Sequence, residues 1–338
     1  MIFNDIVEAR QRIAATVVNT PIVHSRLLNQ WLSGRLEGSQ QHQILFKAEC
    51  LQKTGAFKLR GAANFIAKLA EAGALPDRFV ANSSGNHAQA VAYASAMFSV
   101  PATIFSANTI SSIKAAATRS YGAELKVYDT RPEADAAVEK ASKQQGSVWI
   151  PPFNHPDIMA GQGTAAAEAI EEIGHVDAVF APCGGGGLVS GSLVATRELL
   201  PLAEVIGVEP LAANDAAESL RTGQIQSLTS TPKTLADGAA TPSVGEHTFP
   251  FLKQLDGFYE VNEQQICYWT QWLHHLLKLH IEPTCCMTMQ AVAEWLAVQK
   301  SPKQVLVILS GGNISQSAMQ TLWENDHLQH TPHIELFE

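Results

Sequence analysis

No apolar run in this sequence approaches the roughly 20 residues needed to cross a bilayer; the longest, such as VLVIL at 305–309, fall far short. Basic residues are outnumbered, 23 Lys and Arg against 32 Asp and Glu, giving a net charge of −9. The chain therefore lacks the broad positive field that nucleic acid and anionic lipid require, and neither is expected as a partner. CxxC spacing is also absent. The five cysteines, Cys50, Cys183, Cys267, Cys285 and Cys286, are an odd number, and the adjacent pair is poorly placed to bridge itself. Reduced thiols in the cytoplasm are the expectation. The twelve histidines contain no HxxxH or HExxH, so catalytic zinc has no support, and His274 and His275 read as a solvated helix face. The N-terminal MIFNDIVEARQRI lacks a basic segment leading into an apolar one, so no export signal is expected.

What is present is a globular composition, 46% hydrophobic and 16% charged over 338 residues, long enough for about two domains. Short apolar or β-branched runs alternate with longer Ala-rich stretches of helical period, which predicts an α/β fold with mainly parallel sheets. Expected strands are 44–49, 79–82, 102–106, 125–129, 148–151, 178–182, 205–209 and 305–310. FKLRGAANFIAKLAEAG (57–73) reads as a helix opening at or just after Lys58 and stopping at Gly73. The strand and helix alternation over 75–150 forms a smaller unit, with 1–70 and 150–338 making the larger one.

Four loops carry the candidate chemistry, three of them directly after expected strands, where doubly wound sheets hold ligands. In AFKLRGA, Lys58 sits among apolar neighbours at a positive helix end, which disfavours its ammonium and suits it to Schiff-base chemistry. CGGGGLVSG follows the strand AVFAP. Gly184, Gly185, Gly186 and Gly187 remove every side chain, so backbone N–H groups can converge on a phosphate at a helix start. The loop lacks the Lys and Ser/Thr of a P-loop and the spacing of a dinucleotide fingerprint. NSSGNHAQAVAYA sets Ser83, Ser84 and Asn86 before an amphipathic helix, either as a carboxylate cradle or as a plain helix cap. VLVILSGGN ends a buried strand at Ser310, with an ordinary turn as its bland alternative.

Taken together, AFKLRGA, SSGNHAQA, the tetraglycine loop and SGGN, in this order, resemble the fold type II pyridoxal-phosphate family of serine/threonine dehydratases and serine racemases. Secondary matches are KTG at 53–55, GQGT at 161–164, VEP at 208–210, LADGAA at 235–240 and IEPT at 281–284. The resemblance spans about residues 10–320. It implies two open twisted sheets flanked by helices, with the cofactor held on Lys58, which also takes the Cα proton of the substrate. It further implies that the Gly184–Gly187 loop and the Leu188 amide bind the phosphate, that Asn86 meets the ring hydroxyl, that Phe57 packs on the ring edge and that Ser310 faces the pyridine nitrogen. A neutral hydroxyl there leaves the ring a weaker electron sink than a carboxylate would, which favours elimination over transamination. Ser83, Ser84, Asn86 and His87 resemble the substrate-carboxylate loop. Glu209, the carbonyl of Ala213 and Asp215 match a divalent-cation site suited to Mg²⁺ or Ca²⁺.

The implied activity is a cytoplasmic L-threonine/L-serine dehydratase without an appended regulatory domain, and a homodimer is the family expectation. Serine racemase is the alternative that Ser84 suggests, since racemisation needs an acid on the second face of Cα; ADGAATPSVGEHTF at 236–249 looks more like the dehydratases. Hydroxyaspartate dehydration needs an extra cationic contact that the sequence does not place, and Arg131 matches no family arginine clearly. A pyridoxal-phosphate-binding homologue without turnover is suggested by Cys285, Cys286 and Met287, which replace small residues and are expected either to narrow or redirect the pocket or, as is commoner for cytosolic cysteines, to be buried packing with no chemical role. Ala56 stands where the family usually has serine.

Overall fold

The structure, a computed structural model, describes all residues except 35, 37–39, 231 and 338. Ten strands are formed among the described residues: β1 (Ile22–His24), β2 (Gln43–Ala48), β3 (Arg78–Asn82), β4 (Ala102–Ala107), β5 (Glu124–Tyr128), β6 (Ser147–Trp149), β7 (Ala178–Pro182), β8 (Glu204–Pro210), β9 (Gly257–Val261) and β10 (Gln304–Leu309). They make two sheets, one in the order β1-β2-β10-β7-β8-β9 and the other β5-β4-β3-β6. Every pairing is parallel except β1 on β2. The eight expected strands all form, with ends shifted by one or two residues; β1 and β9 are additions to them. Central strands β7 and β10 are apolar nearly throughout because helices cover both faces.

The helix Lys58–Glu71 begins at the expected residue, and Gly73, just past its end, takes a φ of +64°. Its neighbour, Pro156–Ile173, is a thirteen-residue buried stretch plus two more exposed ends, and it also packs on the helix Gly187–Leu199. Glycines permit both crossings. A Cβ on Gly161 would lie 2.5 Å from the Arg60 carbonyl oxygen, and one on Gly191 2.6 Å from the Gly163 nitrogen. The GQGT motif is thus the place where one central helix lets the Lys58 helix and the tetraglycine helix approach backbone to backbone.

A buried ionic network lies beneath Lys58. Arg60 donates to both oxygens of Glu49 at 2.8 and 2.9 Å and to both oxygens of Glu168 at 2.8 Å, while Lys47 stands 3.0 Å from Glu168. Two cations face two anions, so charge balances inside the protein. The fork geometry of Arg60 ties the helix of Lys58 to β2 and to the central helix.

Candidate active site

The carboxyl ends of both sheets open on one cleft of about 770 Å³. Its wall includes Lys58, the Ser83–His87 loop, Gly184–Leu188 and Ser310, so chain segments more than 200 residues apart converge there. Lys58 donates to the Pro152 carbonyl at 2.7 Å and lies 5.0 Å from the Phe57 ring centroid and 5.9 Å from that of Phe153. Its side chain reaches the cleft, yet surrounding protein strips water from the ammonium. Desolvation lowers its pKa to about 8, against the opposing pull of the Glu282 carboxylate.

The glycine loop is held tightly by its neighbours, one of them the cleft residue Phe153. Gly186 takes a φ of +89° at the start of its helix, and a Cβ on Gly185 would meet the Phe153 ring at 2.3 Å. The loop after β3 is built differently from a capped helix start. Gly85 holds the cap position without a side-chain hydrogen bond, Ser83 Oγ accepts from the Gly85 amide at 3.1 Å, and Ser84 Oγ lies 2.9 Å from Ser106 Oγ. Neither serine caps the helix Asn86–Met97. His87 is buried, with Nε2 2.9 Å from the Ile150 carbonyl; burial and then the nearby Lys58 push its pKa down to about 3, so it is neutral. Asn86 donates to both oxygens of Glu282 at 3.0 Å and accepts from Asn313 at 2.8 Å.

Residues 13–311 match the family of pyridoxal-phosphate dependent enzymes. The chain belongs to that family. It is 40% identical to the L-threo-3-hydroxyaspartate ammonia-lyase of Saccharomyces cerevisiae over 95% of either chain. It is also 37% identical to a serine racemase of Schizosaccharomyces pombe, covering 92% of this chain and 94% of that one. Among solved structures it is similar to the threonine deaminase of T.th., with a TM-score of 0.84 and 38% identity over 93% of this chain and 99% of the other. The fold is that of the fold type II branch.

Three features of this pyridoxal-phosphate enzyme fit its cofactor. Lys58 is a desolvated primary amine; the tetraglycine loop presents bare backbone at the start of the helix Gly187–Leu199; and Ser310 Oγ is buried without a hydrogen-bond partner, at 1% exposure. An orphaned hydroxyl at the end of β10 is costly unless something in the cleft engages it.

Glu209, Ala213 and Asp215 lie away from this cleft, at the end of β8 and in the turn after it. Among the described residues no group of three or more His, Cys, Asp or Glu is gathered around a point, but the two carboxylates and a carbonyl are an oxygen set. Asp215 is buried and neither carboxylate oxygen has a hydrogen-bond partner. Burial pushes its pKa up to about 7, opposed by the nearby amides of Asp215 and Val244. Burial pushes Glu209 up to about 8, eased by the amides of Ala217 and Ala216 but reinforced by Asp215. Two desolvated carboxylates beside a carbonyl suit an oxygen-loving divalent ion.

The structure corrects two expectations. Cys285, Cys286 and Met287 do not narrow the cleft: they are fully buried in the apolar core behind it, and Cys285 Sγ points to the carbonyls of Glu282 and Gly311 at 3.1 and 3.5 Å. Their short helix, Pro283–Cys286, offers the cleft only Thr284. His274 is not a solvated face; it is half-buried, with Nε2 2.7 Å from the Ile281 carbonyl, whereas His275 is exposed.

Glu282, Lys114, Asp237 and Arg131 also line the cleft and are absent from the site residues expected from sequence. Burial first, and then Asp237, push the Glu282 carboxyl up to about 7, against the pull of Lys114 and the Asn86 amide. The IEPT match is its only sequence signal. Arg131 donates to the Ala240 carbonyl at 3.2 Å across the mouth and stands 3.8 Å from Asp135.

Proposed function

We propose that this enzyme is an ammonia-lyase that eliminates the β-hydroxyl of a small β-hydroxyamino acid, giving a 2-oxo acid and ammonia. The observation that carries the reading is the desolvated Lys58 amine facing the same cleft as the tetraglycine loop and the lone hydroxyl of Ser310. When bound, pyridoxal phosphate supplies an electron sink for the charge left at Cα after its proton departs. Gly184, Gly185, Gly186, Gly187 and the Leu188 amide would hold its phosphate, and Phe57, Asn86 and Ser310 would hold its ring, Asn86 at the hydroxyl and Ser310 at the nitrogen. Lys58 would hold the cofactor, and its Nζ amine would take the Cα proton. Ser83, Ser84, Asn86 and neutral His87 border the substrate carboxylate. Phe57 and Phe153 beside Lys58 keep water from the amine.

L-Threonine, L-serine and threo-3-hydroxyaspartate share this chemistry. Two findings favour hydroxyaspartate: the yeast relative of that name, and Arg131 on the cleft wall, the cationic contact a second carboxylate needs. Serine racemisation is the second reading, supported by Ser84 Oγ on the cleft wall within 2.9 Å of Ser106 Oγ, a hydroxyl pair able to pass a proton. In the same proposal 75–150 is the smaller substrate-loop domain beside a larger one made of 1–70 and 150–338. Glu209, the Ala213 carbonyl and Asp215 hold Mg²⁺ or Ca²⁺, and the enzyme acts in the cytoplasm as a homodimer. No helix among the described residues is long and apolar enough to cross a membrane.

The test follows the Cα proton in heavy water. Loss of the Cα proton accompanied by a 2-oxo acid supports elimination, D-serine carrying deuterium at Cα without a 2-oxo acid shifts the assignment to racemisation, and neither 2-oxo acid nor loss of the Cα proton from any of the three amino acids contradicts both.

A further inference from the structure

Lys114 is the most deeply buried cation lining the cleft, 5% exposed where Lys58 is only half-buried, and it lies outside every motif that points to the cofactor. It sits in the first turn of the helix Ser112–Ser120, whose start is capped by Ser111, on the side of the molecule built around the four-stranded sheet. Its Nζ pairs with Asp237 at 2.7 Å, on the short 3-10 turn Asp237–Ala239 between β8 and β9 of the six-stranded sheet. The two partners differ sharply in exposure: the Lys114 side chain is 6% exposed, the Asp237 side chain 56%. Burial alone disfavours the ammonium, but Asp237 and Glu282 together outweigh it and hold the pKa above the usual lysine value. A desolvated cation depends on a nearby anion, whereas a carboxylate half in water loses little when it turns outward.

Besides the carboxylates of Asp237 and Glu282, that ammonium also neighbours the loop before the helix Asn86–Met97. A Cβ built on Gly85 would find one atom within 4 Å, Lys114 Nζ at 3.9 Å. The space in front of Gly85 is therefore open except for a charged amine, beside a helix start whose amides already favour an anion. Of the remaining cleft cations, Lys58 is committed to the Pro152 carbonyl and Arg131 stands at the mouth.

We infer that Lys114 binds the α-carboxylate of the amino-acid substrate, and that Asp237 occupies the lysine until the substrate carboxylate replaces it. This rests on the reading above that the loop 83–87 receives that carboxylate. The exchange makes Asp237 a competitor built into the chain: it keeps the empty cleft electrically paired, and it selects ligands whose carboxylate is strong enough to displace it. Lys114 and Asp237 are contributed by segments of different sheets, so the exchange also loosens one link across the cleft at the moment the substrate forms another.

Binding of glycine, which has no β-hydroxyl to lose, isolates this step from elimination. Calorimetry on the pyridoxal-phosphate-loaded protein compares glycine with glycinamide, in which a neutral amide replaces the carboxylate, in the wild type, Lys114→Met and Asp237→Asn. Lys114→Met should weaken glycine by about tenfold or more, the scale of a lost charge-assisted hydrogen bond, and leave glycinamide unchanged. Asp237→Asn should tighten glycine, because the competitor is gone. A merely structural ion pair predicts the opposite: both substitutions weaken both ligands. That result, or glycine binding indifferent to Lys114→Met, overturns the inference while leaving the lyase reading intact. If Lys114→Met does not fold, the sign of the Asp237→Asn effect alone decides. A wild type that binds no glycine overturns the inference together with the reading beneath it.

Discussion

Asn86 gives its single amide nitrogen to both oxygens of Glu282, at 3.0 Å each, across 196 residues of sequence. Glu282 therefore fixes which way the Asn86 amide points, and Asn313, donating to the Asn86 oxygen at 2.8 Å, fixes it from the other end. The carboxyl is buried and pushed up to about 7, so its ionised form is disfavoured in the folded protein. The raised value means that its contribution to stability is present below the ordinary carboxyl range and is lost as pH rises through about 7. Glu282→Gln keeps an acceptor and removes that charge. The variant should gain melting temperature relative to the wild type at pH 8 and lose that gain at pH 4, while turnover falls because Asn86 is less firmly held. Thermal melts at the two pH values check it; a variant less stable at pH 8 counts against the account.

Lys58 gives a second pH-dependent expectation. Its free amine is the form that captures pyridoxal phosphate, and burial brings its pKa to about 8 from 10.5. The rate at which apoprotein takes up the cofactor should rise with pH and level off above about 8. A midpoint near the ordinary lysine value would place the amine in water and remove the desolvation argument.

The glycine loop has almost no room. Gly185→Ala drives a methyl group into the Phe153 ring, 2.3 Å away, and Phe153 itself packs near the Lys58 amine. Overpacking of this kind costs roughly 1–3 kcal/mol. Cofactor affinity should fall by about 5- to 150-fold if that cost is relieved only in the empty loop. Fluorescence titration of the apoprotein gives the value.

The network under the active-site helix predicts a structural effect distinct from these. Glu168→Ala leaves Arg60 and Lys47 buried with one carboxylate between them. Removing one partner of such a buried network costs about 3–5 kcal/mol, read as a leftward shift in denaturant unfolding. An unchanged midpoint would mean that water reaches the network.

Asp215 carries the cation expectation. Mg²⁺ or Ca²⁺ should raise the melting temperature of the wild type, because the ion neutralises two buried carboxylates in the native state only. Asp215→Ala should abolish the shift. Equal shifts in both proteins would send the ion elsewhere.

β7 and β10 announce themselves in the sequence as continuous apolar runs, because parallel strands covered on both faces bury nearly every residue. β1 escapes notice since it has three residues, and β9, GFYEV, because it is an edge strand whose first four residues are only half-buried. Lys58 and the glycine loop are legible because their chemistry is local: an amine at a helix start, a run of residues without side chains. Glu282, Lys114 and Asp237 are not, since what makes each a site residue is a partner 123 to 196 positions away. Cys285 and Cys286 mislead for the same reason. Their neighbour Thr284 faces the cleft, and only the packing of their short helix decides that the thiols turn inward.

The most direct test of the central claim follows 2-oxo acid and ammonia from threo-3-hydroxyaspartate, L-serine and L-threonine, with chiral separation of serine, in the wild type and Lys58→Ala. The account predicts equal amounts of 2-oxo acid and ammonia from at least one of them, hydroxyaspartate fastest, and none from Lys58→Ala. A wild type that releases neither product from any of the three, or a Lys58→Ala protein that still does, contradicts it.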